Sequence, residues 1–215
     1  MTDHVTQARL DELWNFDDVS ESERRFREEL TRVPSGSQVA AELTTQLARA
    51  IGLQNRFDEA DALLDSADDG SGVVLARTLL ERGRLRNSGG HPDAAIPLFE
   101  EALAAASAVG DDFLVIDAAH MLGIADPARI EHWTARALET ADETTDRRAK
   151  RWAVSLHNNL GWALSNAGNQ TGALAEFELA ADAARDFETP QQRVRAQEAI
   201  DEAVAALGKP TPPTS

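Results

Sequence analysis

The chain has 215 residues, 42% of them hydrophobic, no Cys, no Tyr, and a formal charge of −16. Without Cys there is no disulfide framework, no thiolate metal ligand and no Cys nucleophile. The acidic balance argues against a nucleic-acid surface or an anionic membrane, because such affinity comes from Lys and Arg neutralising phosphates. No apolar run approaches the ~20 residues that span a bilayer, and the N-terminus lacks the basic and apolar regions of a secretory signal. A cytoplasmic protein is expected.

Apolar spacing of three and four predicts a helix over residues 7–14, with Leu10, Leu13 and Trp14 on one face. The capping-box pattern Ser20-Glu21-Ser22-Glu23 predicts the start of a second helix, with Phe26 and Leu30 inward. Residues 1–36 are expected to cap the first helix pair, the alternative being that Trp14 and Phe16 anchor a partner or another protomer. After a loop at 33–37, Leu43, Leu47 and Ile51 are expected to face Phe57, Leu63 and Leu64, with 68–72 as connector. A second helix pair comes next, with its turn at Asn87-Ser88-Gly89-Gly90 and Pro92 in a first helical turn, where Pro is tolerated. A third has Asp126-Pro127 at its turn. A fourth begins near Asp146 with an unusually long first helix to about Ala167. Gly168 stops that helix, and Asn169 opens the next one, with Ala173, Leu174, Phe177 and Ala180 on one face. A last helix over 189–208 reads as a C-terminal cap, and KPTPPTS (209–215) as a disordered tail.

A spacing recurs along this series. Ala60 is followed by Leu64 and Ala67, Ala95 by Phe99 and Ala102, and Ala173 by Phe177 and Ala180. Twelve residues before each first Ala stands another small residue: Ala48, Gly83 and Gly161. Ala60 and Ala95 lie 35 residues apart, and the 78 from Ala95 to Ala173 leave room for one degenerate unit, carried by Leu122-Gly123 and Thr134/Ala137. Leu160, Gly161, Leu164, Gly168, Ala173, Phe177 and Ala180 fall where a tetratricopeptide unit places its signature residues, so the chain resembles a tetratricopeptide repeat (TPR) protein. The resemblance implies an all-α fold, a right-handed α-α superhelix. About four helix pairs would occupy 37–188 (38–69, 73–110, 111–144, 146–187), with a capping element at each end. Three segments, LERGR (80–84), IDAAHMLGIAD (116–126) and RWAVSLHNNLGWAL (151–164), are also similar to those of a group of bacterial TPR proteins with DAAHM and NN-x-GW motifs. That likeness covers most of 73–187 and implies a fold, not a reaction.

In such solenoids the first helices of the units line a concave groove. Helical spacing gives one stripe per unit: Thr45, Gln46 and Arg49; Arg77, Leu80, Glu81 and Arg84; Phe113, Asp117, His120 and Ile124; Arg148, Arg151, Ser155, Asn158, Asn159 and Trp162. The candidate binding set is Arg77, Glu81, Arg84, Asp117, His120, Arg151, Ser155, Asn158, Asn159 and Trp162. Arg77, Arg84 and Arg151 would hold a carboxylate, Asn158 and Asn159 an extended backbone, and Trp162 an apolar side chain. The alternative is that Asp117, His120 and Arg151 pair across units and Trp162 is core.

Asp117 and His120, one turn apart, would need further ligands to hold zinc, and no nucleotide, metalloprotease or nucleophile-elbow motif is present. No catalytic residue, metal or cofactor is therefore expected. The expected function is a protein-protein interaction module or scaffold that binds an unknown protein or peptide partner in the groove, with no nucleic acid or membrane. The alternative is a small-molecule or metal-dependent enzyme or sensor using Asp117 and His120. Homodimerisation through Trp14 or the convex face is a further option.

Overall fold

The computed structural model describes residues 4–67, 70, 72–187 and positions 194, 197–198, 200–201 and 204–205. The helix expected over 189–208 therefore falls largely, and the tail 209–215 wholly, outside the described residues. The fold is all-α, with no strand among the described residues. The chain divides into two compact units, Met1–Ala125 and Asp126–Ser215, at the turn expected inside the third helix pair.

The first unit is built from α1 (Gln7–Leu13), α2 (Val19–Leu30), α3 (Gln38–Gly52), α4 (Phe57–Ala67), α5 (Gly72–Ser88), α6 (Pro92–Val109) and α7 (Asp112–Ala125). Each helix packs on its successor in the chain, and α3 also meets α5, as α5 meets α7. The apolar faces foreseen from spacing are the ones buried. Leu10, Leu13, Phe26, Leu43, Leu47, Ile51, Ala60 and Leu64 form one cluster, so the two N-terminal helices share the core of the first hairpin. Phe26 is fully buried, which contributes ~1.5–3 kcal/mol relative to exposure. Side-chain bonds hold α1 to α2: the Arg9 guanidinium donates from Nε and Nη2 to the two oxygens of Glu29 at 2.9 and 2.5 Å. The start of α2 differs from the capping-box expectation. Asp18 caps it, accepting from the Glu21 amide at 3.0 Å, while Ser22 turns inward to accept from the Asn15 amide at 2.7 Å.

The second unit holds a 3-10 turn (Pro127–Arg129), α8 (Ile130–Glu143), α9 (Arg147–Lys150), α10 (Trp152–Asn166) and α11 (Gln170–Phe187). The long helix expected from Asp146 is thus broken at Arg151. There the ladder tightens to bonds three residues apart, Arg151 N–H to Arg148 C=O and Val154 N–H to Arg151 C=O. Gly168 ends the α10 hairpin helix at φ +83°, a conformation glycine takes without Cβ strain, and Asn169 Oδ1 caps α11 by accepting from the Gly172 amide.

The recurring small residues have a packing reason. A Cβ at Gly83 would lie closer than 3.0 Å to the Phe99 ring, and one at Gly161 would lie 2.6 Å from Phe177 Cε1. In both hairpins an aromatic ring therefore occupies the space that a side chain on the facing helix would fill. The first hairpin has Ala48 and Leu64 at the same positions: a larger small residue and a smaller large one, which conserves volume.

Candidate functional site

On α3, Glu42, Gln46 and Arg49 recur at intervals of three and four, so they share a face. Arg77, Glu81 and Arg84 do so on α5, and Asp117 and His120 on α7. Because α5 packs against both α3 and α7, these faces adjoin within the first unit. Arg77 Nε lies 3.8 Å from Glu42, and Arg49 Nη1 lies 4.0 Å from Glu81. Arg84 donates from Nη1 to Glu81 and from Nη2 to Asp117, each at 2.5 Å. His4 reaches the same strip, its Nδ1 2.8 Å from Glu42 Oε1. Three guanidinium groups thus stand among three carboxylates that are themselves buried: Glu42, Glu81 and Asp117.

The three cations are not equivalent. Arg84 is committed to the protein's own carboxylates. Burial works against its charge, but Asp117 and Glu81 outweigh burial and raise its pKa above the ordinary Arg value. Asp117 shows the converse: burial pushes its carboxyl up, and Arg84 and Arg49 more than reverse this, leaving it below the ordinary Asp value. Arg49 is held below the ordinary Arg value by burial and by the nearby Arg84, against the pull of Glu81 and Asp117. Arg49 and Arg77 make ion-pair approaches at 3.8–4.0 Å and no hydrogen bond to any described residue, and the Nε of each is buried without a partner. A buried guanidinium N–H without an acceptor costs the desolvation of that group, on the order of 1–3 kcal/mol.

Beside Arg49 lies an aromatic pair. The Trp14 and Phe16 rings stack in parallel, 4.6 Å apart with planes 2° from each other. The Arg49 guanidinium carbon is 5.5 Å from the first ring centroid and 5.8 Å from the second. Trp14 is fixed by its indole N–H, which donates to Gln46 Oε1 at 3.0 Å, and it meets Phe26 edge-on at 5.2 Å. Phe16 is 62% exposed.

Of the ten residues that the sequence nominates, Arg77, Glu81, Arg84, Asp117 and His120 come together on this strip. His120 lies one turn from Asp117, and burial keeps its ring below the ordinary His pKa against the pull of Asp117. Arg151, Ser155, Asn158, Asn159 and Trp162 belong to the second unit. There Arg151 and Ser155 are exposed, and Asn158 and Asn159 are half-buried. Trp162 packs edge-on against Phe177 at 5.0 Å and joins the core of its hairpin. His157 pairs through Nδ1 with Glu176 on α11 at 2.7 Å. A cavity of about 380 Å³ in this unit is lined by Thr134, Leu138, Leu160 and Leu164 together with Glu131 and Glu176, and none of the ten nominated residues lines it.

Of the strip's three guanidinium groups and three carboxylates, two lie outside the nominated set. Arg49 stands on the predicted stripe but not among the binding residues, and Glu42 on neither. A sequence signal existed for both: Glu42 is 35 residues before Arg77, and Arg49 is 35 before Arg84, the repeat period itself. Among the described residues no group of three or more His, Cys, Asp or Glu is placed to hold a metal ion, and Asp117 is engaged by Arg84. No helix among the described residues is long and apolar enough to cross a membrane.

No family model matches the chain, and no curated protein matches it. Among solved structures, the crystal structure of BtubC (BKLC) from P. vanneervenii is similar in fold, with TM-score 0.59 and 17% identity over 98% of this chain and 97% of that one. The crystal structure of YrrB, described as a TPR protein with an unusual peptide-binding site, aligns with TM-score 0.49 and 12% identity over 88% of each chain. At 17% identity the likeness to BtubC is one of fold.

Proposed function

We propose that the chain is a non-enzymatic interaction module whose first unit takes a carboxylate-bearing segment of a partner protein against Arg49 and Arg77. One observation carries the reading: these two largely buried guanidinium groups stand on the packed helices α3 and α5 with none of their N–H groups hydrogen-bonded by a described residue. A carboxylate accepts two such donors at once, and charge-assisted bonds of this kind are the strong ones. Arg84 leaves the ligand-holding set assigned from sequence, because Glu81 and Asp117 already occupy its donors. Its role becomes to hold those two carboxylates in place.

The test is a screen of a random peptide library against the full chain, in paired versions with a free C-terminal carboxylate and with a C-terminal amide. The free-acid version is expected to be enriched. Hits are expected to lose about tenfold or more in affinity on Arg77→Gln and on Arg49→Gln, the worth of one charge-assisted hydrogen bond. Equal enrichment of acids and amides, or unchanged affinity in both variants with an unchanged thermal transition, refutes the assignment.

A further inference from the structure

Resting on that reading of Arg49 and Arg77, we infer that the captured segment is a chain end with an aromatic last residue, and that the Trp14–Phe16 stack is the platform that receives its ring. A large hydrophobic side chain left 62% exposed is common enough alone. Phe16 differs because everything around it is fixed. Its inner face lies flat on Trp14. Trp14 is anchored below by the fully buried Phe26 and laterally by Gln46.

The loop that carries Phe16 is pinned on both sides. The Asn15 amide donates to Ser22 Oγ, and Ser22 Oγ donates back to the Asn15 carbonyl at 2.9 Å. Asn15 Oδ1 accepts from the amides of Asp17 and Asp18 at 3.1 and 3.2 Å, and its Nδ2 donates to Glu21 at 3.0 Å. An aromatic ring held this way presents its outer face at little entropic cost on binding, which is how rigid aromatic anchors favour association.

The ligand chemistry is set by the surroundings of the platform. Arg49 lies 5.8 Å from the Phe16 centroid. A C-terminal aromatic residue separates its carboxylate carbon from its ring centroid by about 5 Å from covalent dimensions alone. A terminal residue whose ring lies on Phe16 therefore has its carboxylate within reach of the Arg49 guanidinium. Asp17 and Asp18 come directly after Phe16, and the chain carries −16 overall. A run of acidic residues would be repelled there, so a single carboxylate preceded by neutral or basic residues is the charge pattern that fits.

The experiment uses the full-length chain and four acetylated hexapeptides with one Lys and otherwise neutral residues: ending in Phe, Leu or Ala as free acids, and in Phe as the amide. The Phe acid is expected to bind about tenfold more tightly than the Ala acid and about threefold more tightly than the Leu acid, the scale of ring burial and stacking. Phe16→Ala, at an exposed position, is expected to reduce the Phe-over-Ala preference to within about twofold while keeping the acid-over-amide preference. Arg77→Gln is expected to do the converse. An acid preference without an aromatic preference overturns the platform and leaves the carboxylate reading standing. An aromatic preference without an acid preference overturns the carboxylate reading. No binding of any peptide at about millimolar concentration overturns both. Dimerisation of the free chain that Phe16→Ala abolishes would show a second copy on the platform and overturns the inference.

Discussion

Replacing Asp117 by Asn removes one charge from the first unit and almost no volume, so its cost reports what depriving the buried Arg84 of one carboxylate does. Asp117 is 2% exposed, and its Oδ1 accepts from Arg84 at 2.5 Å. Removing one partner of a buried pair costs about 3–5 kcal/mol, because the remaining charge stays buried. Here Glu81, also 2.5 Å from Arg84, still compensates that charge in part, so about 3 kcal/mol is expected. For a unit of the length of Met1–Ala125, the unfolding entropy is about 0.25 kcal/mol/K, and the expected shift is a lowering of the transition by roughly 10 °C. The assay is thermal unfolding followed by circular dichroism. The double variant Arg84→Met/Asp117→Leu is not expected to recover the loss, because it strands the buried Glu81 carboxylate that Arg84 also holds. The pH dependence has a definite sign. The folded Asp117 pKa is lowered, so its stabilisation is present above the ordinary Asp value of about 3.9 and is lost as pH falls through the lowered folded value. Asp117→Asn should flatten that acid limb. A variant melting within about 2 °C of the parent, with an unchanged acid limb, refutes the pairing.

Three further outcomes are expected. Gly161→Ala places a Cβ 2.6 Å from Phe177 Cε1 and should destabilise by about 1–2 kcal/mol, overpacking exceeding the helix-propensity gain; Phe177→Leu in the same chain should restore stability, reproducing the Ala48 and Leu64 combination, and chemical denaturation checks both. Phe26→Ala, at a fully buried site, should cost about 3–5 kcal/mol, while Phe16→Ala should cost under about 1 kcal/mol in the same assay. Burial lowers the folded pKa of His120, so the unfolded chain binds its proton first. Stability is then fully present above about pH 6.5 and declines as pH falls below it, and His120→Gln should lessen that decline in melts taken between about pH 7 and 5.

The sequence by itself determined that the chain is helical, the recurrence of small and large residues along it, and which side chains share a helix face. Those depend only on spacing along one chain segment: Ala95, Phe99 and Ala102 fall on one side of α6 whatever lies opposite, and Gly83 leaves room for whatever large residue faces it. It also nominated Arg77, Glu81, Arg84, Asp117 and His120, which the first unit does bring onto one strip. Tertiary structure alone decided how those charges are matched. Periodicity fixes the direction of a side chain around its helix axis but not the stagger of one helix along the next, and that stagger sets which partner is reached. It gave Arg84 to Asp117, 33 residues away, and left Arg49 and Arg77 at 3.8–4.0 Å from Glu81 and Glu42 with donors uncommitted. It also set the Trp14 indole on Gln46 and broke the predicted long helix at Arg151, both decided by neighbours that no local pattern names.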